Sequence, residues 1–551
     1  MNARSIPSLQ DDHRLPLEGG LGDLFAIGCA LHPDEPAVAD GKSAFTFREL
    51  EHGATRLAHR LAAAGVERGA RVVVFGAKLA VMPVTAVAAW KLNAVYVPLD
   101  GSMPIARARA LLDRIQPRAV ISLDGTVDVG AYCADARIPR LSQHDLLGML
   151  TDRSPVEPLP HGLPADAYAP AYIIFTSGST GTPKGVEIAV GSLRAYFRNH
   201  NRVLRFDAAS RVFSLAPFHF DVSIEDTLLP LSVGAYVFQF RGVPAGAIMR
   251  EALSREKVTH LIAVSTLLTL ITGAPGDLNR TRFPALRAVM TGAEVCDPAI
   301  INAWKDSLPG VRLFNAYGPT ETTIVCMNYE IEAVDTARAN AYPIGRPLDG
   351  VEAMVVDHDS GERVSAQGVP GELWIGGPQV MNRYFDQPEE TAKVIVERDG
   401  VRYYRTGDIC SYDACGEIVF HGRADDEVKI SGRRIHLGEI RQLILALPGV
   451  SRAAVAVVTR NGRDQIGAVA MAADVGILAQ IEQHLAEQLP EYMRPSVLAW
   501  SPQPQMTSTG KTDEKSIIER LKDALKRSDG RYFALSAKQI FEPASSASEV
   551  A

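Results

Sequence analysis

From Arg71 onward short apolar runs alternate with longer helical stretches, an order that few folds accommodate. Arg71–Phe75 reads as strand, Met82–Leu92 as helix, Ala94–Leu99 as strand and Arg107–Ile115 as helix. The alternation resumes with Arg211–Ala216 (strand) and Ser223–Leu229 (helix), then the strands Ala235–Phe240, His260–Val264, Leu286–Thr291 and Val311–Ala316. Parallel strands need long crossovers, usually helical, so the pattern predicts βαβ units and mostly parallel sheet. After Pro343 the texture changes to Gly-punctuated segments, Val351–Val356, Glu372–Ile375, Arg402–Arg405 and Glu417–Phe420, expected to form a β-rich subdomain. Gly422-Arg423-Ala424-Asp425-Asp426 is a candidate hinge. Beyond it, helix Leu437–Leu447, strands Ala453–Thr459 and Ile466–Ala472, and helices Leu478–Leu489 and Lys515–Lys526 make a small α+β unit. The expected fold class is therefore α/β. A large N-terminal domain (1–424) precedes a small C-terminal one (425–530), and the tail (531–551) is expected to be disordered.

At 551 residues the chain exceeds one ordinary core. Its net charge is −7 and it has no long basic run, which argues against nucleic acid as a main partner. Apolar stretches such as Ala86–Trp90 fall far short of the ~20 residues of a membrane span. The N-terminus carries Asp11, Asp12 and Glu18 with no apolar core, so no signal peptide is expected. Six cysteines lie scattered without a C-x-x-C pair, consistent with buried thiols in a reducing cytoplasm.

Chemistry concentrates where strands end. The apolar run Tyr172-Ile173-Ile174-Phe175 opens into Thr176, Ser177, Gly178, Ser179, Thr180, Gly181 and Thr182, closed by Pro183-Lys184-Gly185. Glycines let the backbone approach a ligand, and hydroxyls, free N–H groups and the Lys184 charge suit a polyphosphate. The pattern is not a P-loop, because Pro183 stands where that motif needs glycine. A flexible linker is the bland alternative, yet linkers rarely follow an apolar strand so tightly. A second loop, Asn315-Ala316-Tyr317-Gly318-Pro319-Thr320-Glu321, also follows an apolar strand. Ligands bind at the carboxyl ends of strands in open α/β sheets, so the two loops could share a cleft. Tyr317 offers a stacking face, and Glu321 offers oxygen ligands for Mg²⁺. Tyr404-Arg405-Thr406-Gly407-Asp408 is read as a strand ending in a turn, where a carboxylate could hold ribose hydroxyls.

Taken together these segments closely resemble the adenylate-forming superfamily: acyl- and aryl-CoA synthetases, luciferases and the adenylation domains of nonribosomal peptide synthetases. Motifs occur in family order from Phe45-Thr46-Phe47-Arg48-Glu49-Leu50 to Thr507-Ser508-Thr509-Gly510-Lys511, about nine-tenths of the chain. The resemblance implies ATP and Mg²⁺ as cofactors. It implies that Thr176 to Thr182 with Lys184 hold the phosphates and that Asn315, Ala316, Tyr317, Gly318 and Thr320 hold the nucleotide. Glu321 would bind the metal, and Asp408, helped by Arg423, would bind the ribose. Lys511 would be the catalytic lysine on a mobile C-terminal domain, with Asp425 as pivot and Gly432 beside the tunnel for a thiol. Two departures stand out: Asn93 where the family usually has glycine, and Arg494 where a small residue is more usual.

Substrate identity is sought at Phe218-His219-Phe220-Asp221-Val222-Ser223, which resembles the amino-acid-binding segment of peptide-synthetase adenylation domains. There Asp221 would pair with the substrate ammonium; its alternative is a helix N-cap. By local alignment Val222, Glu225, Ala263, Val289, Thr291, Ala316, Ile324 and Val325 would line the side-chain pocket. Glu225 either meets an amine or hydroxyl of the substrate or faces solvent. No carrier-protein G-G-x-S follows Lys511 and no H-H-x-x-x-D-G segment occurs, so a free-standing enzyme is expected. It would load the phosphopantetheine of a separate peptidyl carrier protein. The alternatives are a CoA ligase for a non-amino acid and a catalytically silent paralogue.

Overall fold

Val72 to Phe75 have no solvent exposure, as a central strand of a parallel sheet covered on both faces requires. The computed structural model describes residues 20–123, 125–159, 166–177, 183–338, 340–424, 426–502, 514–527, 530–535 and 540–541. One sheet orders its strands Arg383–Tyr384, Lys184–Ala189, Pro170–Thr176, Val95–Asp100, Arg71–Gly76, Ala119–Ser122 and Arg140–Ser142. The last five of these run parallel. In a second sheet the parallel order is Arg312–Tyr317, Ala288–Gly292, His260–Val264, Arg211–Ser214, Tyr236–Gln239 and Pro36–Ala39. The expected α/β architecture is therefore present, with ends within two residues for most elements.

Helices fill the space between these sheets. Helix Met82–Lys91 is buried from Met82 through Trp90, so its apolar character extends all round rather than along one stripe. It belongs to one core that joins Val72, Tyr172 and Ile174 of the first sheet to Val212, Ile262 and Phe314 of the second. Helix Phe47–Ala63 starts at a capping box in which the Thr46 side chain accepts from the Glu49 N–H and Glu49 accepts from the Thr46 N–H. Asn93 sits at φ 52, a left-handed conformation that asparagine tolerates in place of glycine.

The β-rich part pairs Glu352–Val356, Gly371–Gly376, Val401–Tyr412 and Ile395–Arg398 antiparallel, with Ile418–Arg423 on Val401–Tyr412. The segment expected to turn at Thr406-Gly407-Asp408 instead lies inside the strand Val401–Tyr412. Register shifts near Ile409 on one side and Glu372 on the other mark bulges that accommodate Gly407 at φ 73. The helix expected at Ser223–Leu229 is a π-helical turn, Ile224–Leu228, continued by Leu229–Ser232.

The C-terminal part holds a hairpin, Glu427–Ile430 with Arg433–His436, and a sheet of Val450–Arg460, Arg463–Ala472, Val497–Ser501, Tyr532–Leu535 and Ile540–Phe541. The expected disordered tail is thus corrected in part, because Tyr532–Leu535 pairs parallel with Val497–Ser501. Phe533 and Leu535 are buried there against Val497, Ala499 and Leu521. Arg494 donates to the carbonyls of Leu489 and Ala486, closing the end of helix Ile477–Gln488.

Candidate active site

The two sheets place their strand ends around adjoining cavities. A small one, about 100 Å³, lies between Ile174 to Ser177, Phe220 to Val222 and the turn from Ala316 to Val325. A larger one, about 1010 Å³, adjoins it at Ala293, Ala316 and Lys429 and holds Asn315, Tyr317, Asp408 and Arg423. Thr176 and Ser177 reach the small cavity, while Gly178, Ser179, Thr180, Gly181 and Thr182 lie outside the described residues. So do Asp425 and Lys511.

The turn after Arg312–Tyr317 is held by close backbone approach. A methyl group at Gly318 would lie 2.1 Å from the Ile324 carbonyl oxygen. Thr323 and Ile324 both have positive φ, 58 and 73, which for β-branched residues is strained. That geometry buries Glu321 completely. Its Oε1 accepts from the Tyr384 hydroxyl at 2.7 Å and its Oε2 from Arg434 Nη1 at 2.5 Å. Burial would raise this carboxyl, but the Arg434 guanidinium and the two hydrogen bonds outweigh it and hold the acid below the usual carboxylate range. Arg434 also pairs with Glu427 Oε2 at 2.6 Å.

Tyr317 and Asp408 meet directly: the tyrosine hydroxyl donates to Asp408 Oδ2, and Arg423 Nη1 donates to Oδ1 at 2.7 Å. Residues 91 positions apart thus converge on one wall of the larger cavity. Lys184 starts its strand half-covered by neighbours, with its Nζ 3.0 Å from Glu390 Oε2 and 5.0 Å from the Tyr384 ring centroid. A phosphate approaching Lys184 therefore competes with Glu390.

Asp221 lines the small cavity and is 9% exposed. It also stands directly before the helical run that begins at Val222, whose N–H acts on its carboxylate, so the cap position and the cavity wall coincide at this residue. Burial pushes its carboxyl up to about 6, against the lowering influence of the Thr320 side chain, the Lys429 charge and the Val222 N–H. Val222, Ala263, Thr291, Ala316, Ile324 and Val325 line the same cavity. Val289 does not reach it. It is buried in a separate core with Leu261 and Leu313, and Met290 stands on the cavity wall instead. Glu225 lines the cavity too, but the solvent-facing alternative is overturned: it is 2% exposed and its Oε1 lies 2.7 Å from His200 Nε2.

The hairpin closes over this ensemble. Gly432, at φ 74, packs so that a methyl group there would lie 2.4 Å from Val264, and its N–H donates to Glu294 Oε1 at 2.6 Å. Ser177 Oγ donates to the Arg434 carbonyl, and Arg107 pairs with buried Glu439 at 2.8 Å. Sequence reasoning missed Arg434, Tyr384, Glu294, Glu390 and His200. The repeated basic pair Arg433-Arg434 beside Gly432 was the one available signal. The others sit in a short edge strand (Tyr384), helices (His200, Glu390) and a loop (Glu294) without a motif.

A sequence model of the AMP-binding enzyme family matches residues 25–385. Novobiocin biosynthesis protein H of Streptomyces niveus is 30% identical, over 95% of this chain and 86% of its own. Phenyloxazoline synthase MbtB of Mycolicibacterium paratuberculosis is 29% identical over 95% of this chain, which spans 43% of that relative's length. Among solved structures, a nonribosomal peptide synthetase protein containing adenylation and PCP domains superimposes with a TM-score of 0.78. It is 24% identical, covering 91% of this chain and 84% of that one. An artificially fused adenylation–PCP didomain from Klebsiella oxytoca gives a TM-score of 0.74 at 25% identity, over 87% and 93% of the two chains. With the family model spanning well over half its length, this chain belongs to the AMP-binding enzyme family.

Proposed function

We propose that the enzyme activates an amino acid with ATP, forming aminoacyl-AMP and pyrophosphate, and passes the aminoacyl group to the phosphopantetheine thiol of a separate carrier protein in the cytoplasm. One observation carries the amino-acid part: a buried carboxylate, Asp221, faces a small cavity beside the turn that bears Tyr317 and Glu321. An ammonium group entering that cavity gains a desolvated, charge-assisted partner, which a plain carboxylic acid cannot supply. The apolar walls Val222, Ala263, Ala316, Ile324 and Val325 would then receive the side chain.

For the nucleotide, the larger cavity offers the Tyr317 ring and, at one wall, Asp408 held by Arg423. ATP bound there would place its phosphates toward Thr176, Ser177 and Lys184. Glu321 fits a Mg²⁺ ion as a buried carboxylate ligand, and the ion would neutralise phosphate charge when bound. Among the described residues no cluster of three acid, His or Cys side chains forms a metal cage. The remaining ligands would therefore come from phosphates and water. Since Arg434 occupies Glu321 Oε2, metal binding belongs to an arrangement in which the hairpin has moved away. The arrangement described here, with the hairpin over the cavity, suits thiol transfer, and Lys511 would serve the adenylation step.

ATP–pyrophosphate exchange across a panel of α- and β-amino acids and simple carboxylic acids tests this reading. Exchange with amino acids is expected; exchange with fatty or aryl acids alone would instead point to a CoA ligase. No exchange with any acid would leave a silent paralogue.

A further inference from the structure

Glu225 and His200 form a buried pair that the reaction chemistry leaves unexplained. His200, on helix Val190–Leu204, has no solvent exposure and stacks on Tyr196 with centroids 5.0 Å apart and planes 17° apart. Its Nε2 lies 2.7 Å from Glu225 Oε1, while its Nδ1 is buried without a hydrogen-bond partner. A proton on Nδ1 would have no acceptor, so the geometry favours the tautomer with its proton on Nε2, donating to the carboxylate. Stacking on Tyr196 fixes the ring, and the ring in turn fixes Glu225 in the cavity wall. Glu225 itself makes no ion pair with lysine or arginine among the described residues. A buried carboxylate with a single neutral donor retains acceptor capacity that nothing in the surrounding wall satisfies. The cavity lining combines Val222, Ile262, Ala263 and Met290, which cannot donate from their side chains, with the donors Thr291, Thr320 and Lys429, and the one hydrogen bond to the Glu225 carboxylate among the described residues comes from His200.

We propose that His200 is a positioning residue for substrate choice, holding Glu225 as an acceptor for a short side chain that ends in an amine. This rests on the amino-acid reading and names the class within it. Asp221 would take the ammonium next to the reacting carboxylate, and Glu225 the second one. The cavity, about 100 Å³, has room for a side chain of several heavy atoms, which a diamino acid does not exceed. An amine suits Glu225 better than a hydroxyl because it compensates the buried charge as well as donating.

The test is pyrophosphate exchange with diaminobutyrate, homoserine and norvaline, whose side chains differ only in ending in an amine, a hydroxyl or a methyl group. The wild-type enzyme is expected to favour diaminobutyrate over norvaline in kcat/KM by roughly ten- to a hundredfold. Glu225→Gln and His200→Phe should remove most of that preference through the amino-acid KM, leaving the KM for ATP unchanged. His200→Gln, which keeps an N–H near the Nε2 position, should restore part of it. Norvaline equal to or better than diaminobutyrate overturns the inference while leaving amino-acid activation standing, and homoserine ahead of diaminobutyrate overturns the amine class. An unchanged preference in His200→Phe overturns the positioning role; should that variant not fold, the isosteric Glu225→Gln and His200→Gln decide it. Absence of exchange with every amino acid overturns the underlying reading instead.

Discussion

Asp221 shows what burial does to a single side chain and what it costs. Its carboxyl is raised to about 6, so the folded protein binds a proton there more tightly than the unfolded chain does. The associated stabilisation is present below the unfolded value near 4 and is lost as pH rises through about 6. At pH 8 the ionised group therefore destabilises the fold, on the order of 3 kcal/mol. Asp221→Asn should accordingly be more stable than wild type at pH 8, with the gap narrowing toward pH 5, as thermal melts at several pH values would record. The same acid predicts a functional profile: kcat/KM for an amino acid should fall about tenfold per pH unit below about 6, because a protonated Asp221 no longer attracts an ammonium. Asp221 and Glu321 were legible from short motifs because each lies within a few residues of a strand end. His200 and Tyr384 were not, since nothing near them in the chain announces that they touch Glu225 and Glu321.

Among elements, two glycine positions set the site through backbone proximity. Gly318 lets the turn fold back on Ile324, so Gly318→Ala should displace Glu321 and abolish pyrophosphate exchange, with the variant's melting temperature reported beside its activity. Gly432 seats the hairpin against Val264 at positive φ, where a side chain costs about 1–2 kcal/mol in backbone strain alone. Gly432→Ala is therefore expected to slow transfer to a phosphopantetheine thiol while leaving pyrophosphate exchange near the wild-type rate. Slowing both equally would contradict the division of labour between the hairpin and the strand-end loops. The Thr406-Gly407-Asp408 segment marks a limit of local reading at this scale. Gly and Asp together suggest a turn, yet pairing with Gly371–Gly376 on one side and Ile418–Arg423 on the other draws them into a strand. Tertiary pairing overrides local propensity there.

For the whole molecule, the order of strands and helices was readable because parallel sheet forces long apolar runs and helical crossovers. The meeting of distant residues was not, because it depends on how two sheets pack around shared helices such as Met82–Lys91. The approach of the hairpin was equally hidden: Arg434 and Glu321 are separated by 113 residues and joined by one buried ion pair. Among the described residues no helix is long and apolar enough to cross a membrane. The central claim is that this adenylate-forming site selects an amino acid through Asp221, and its most direct test compares an accepted amino acid with the same acid lacking its amino group. Wild-type enzyme should exchange pyrophosphate with the first at least tenfold better in kcat/KM, and Asp221→Ala should erase that difference. Equal exchange with both acids by the wild-type enzyme would contradict it.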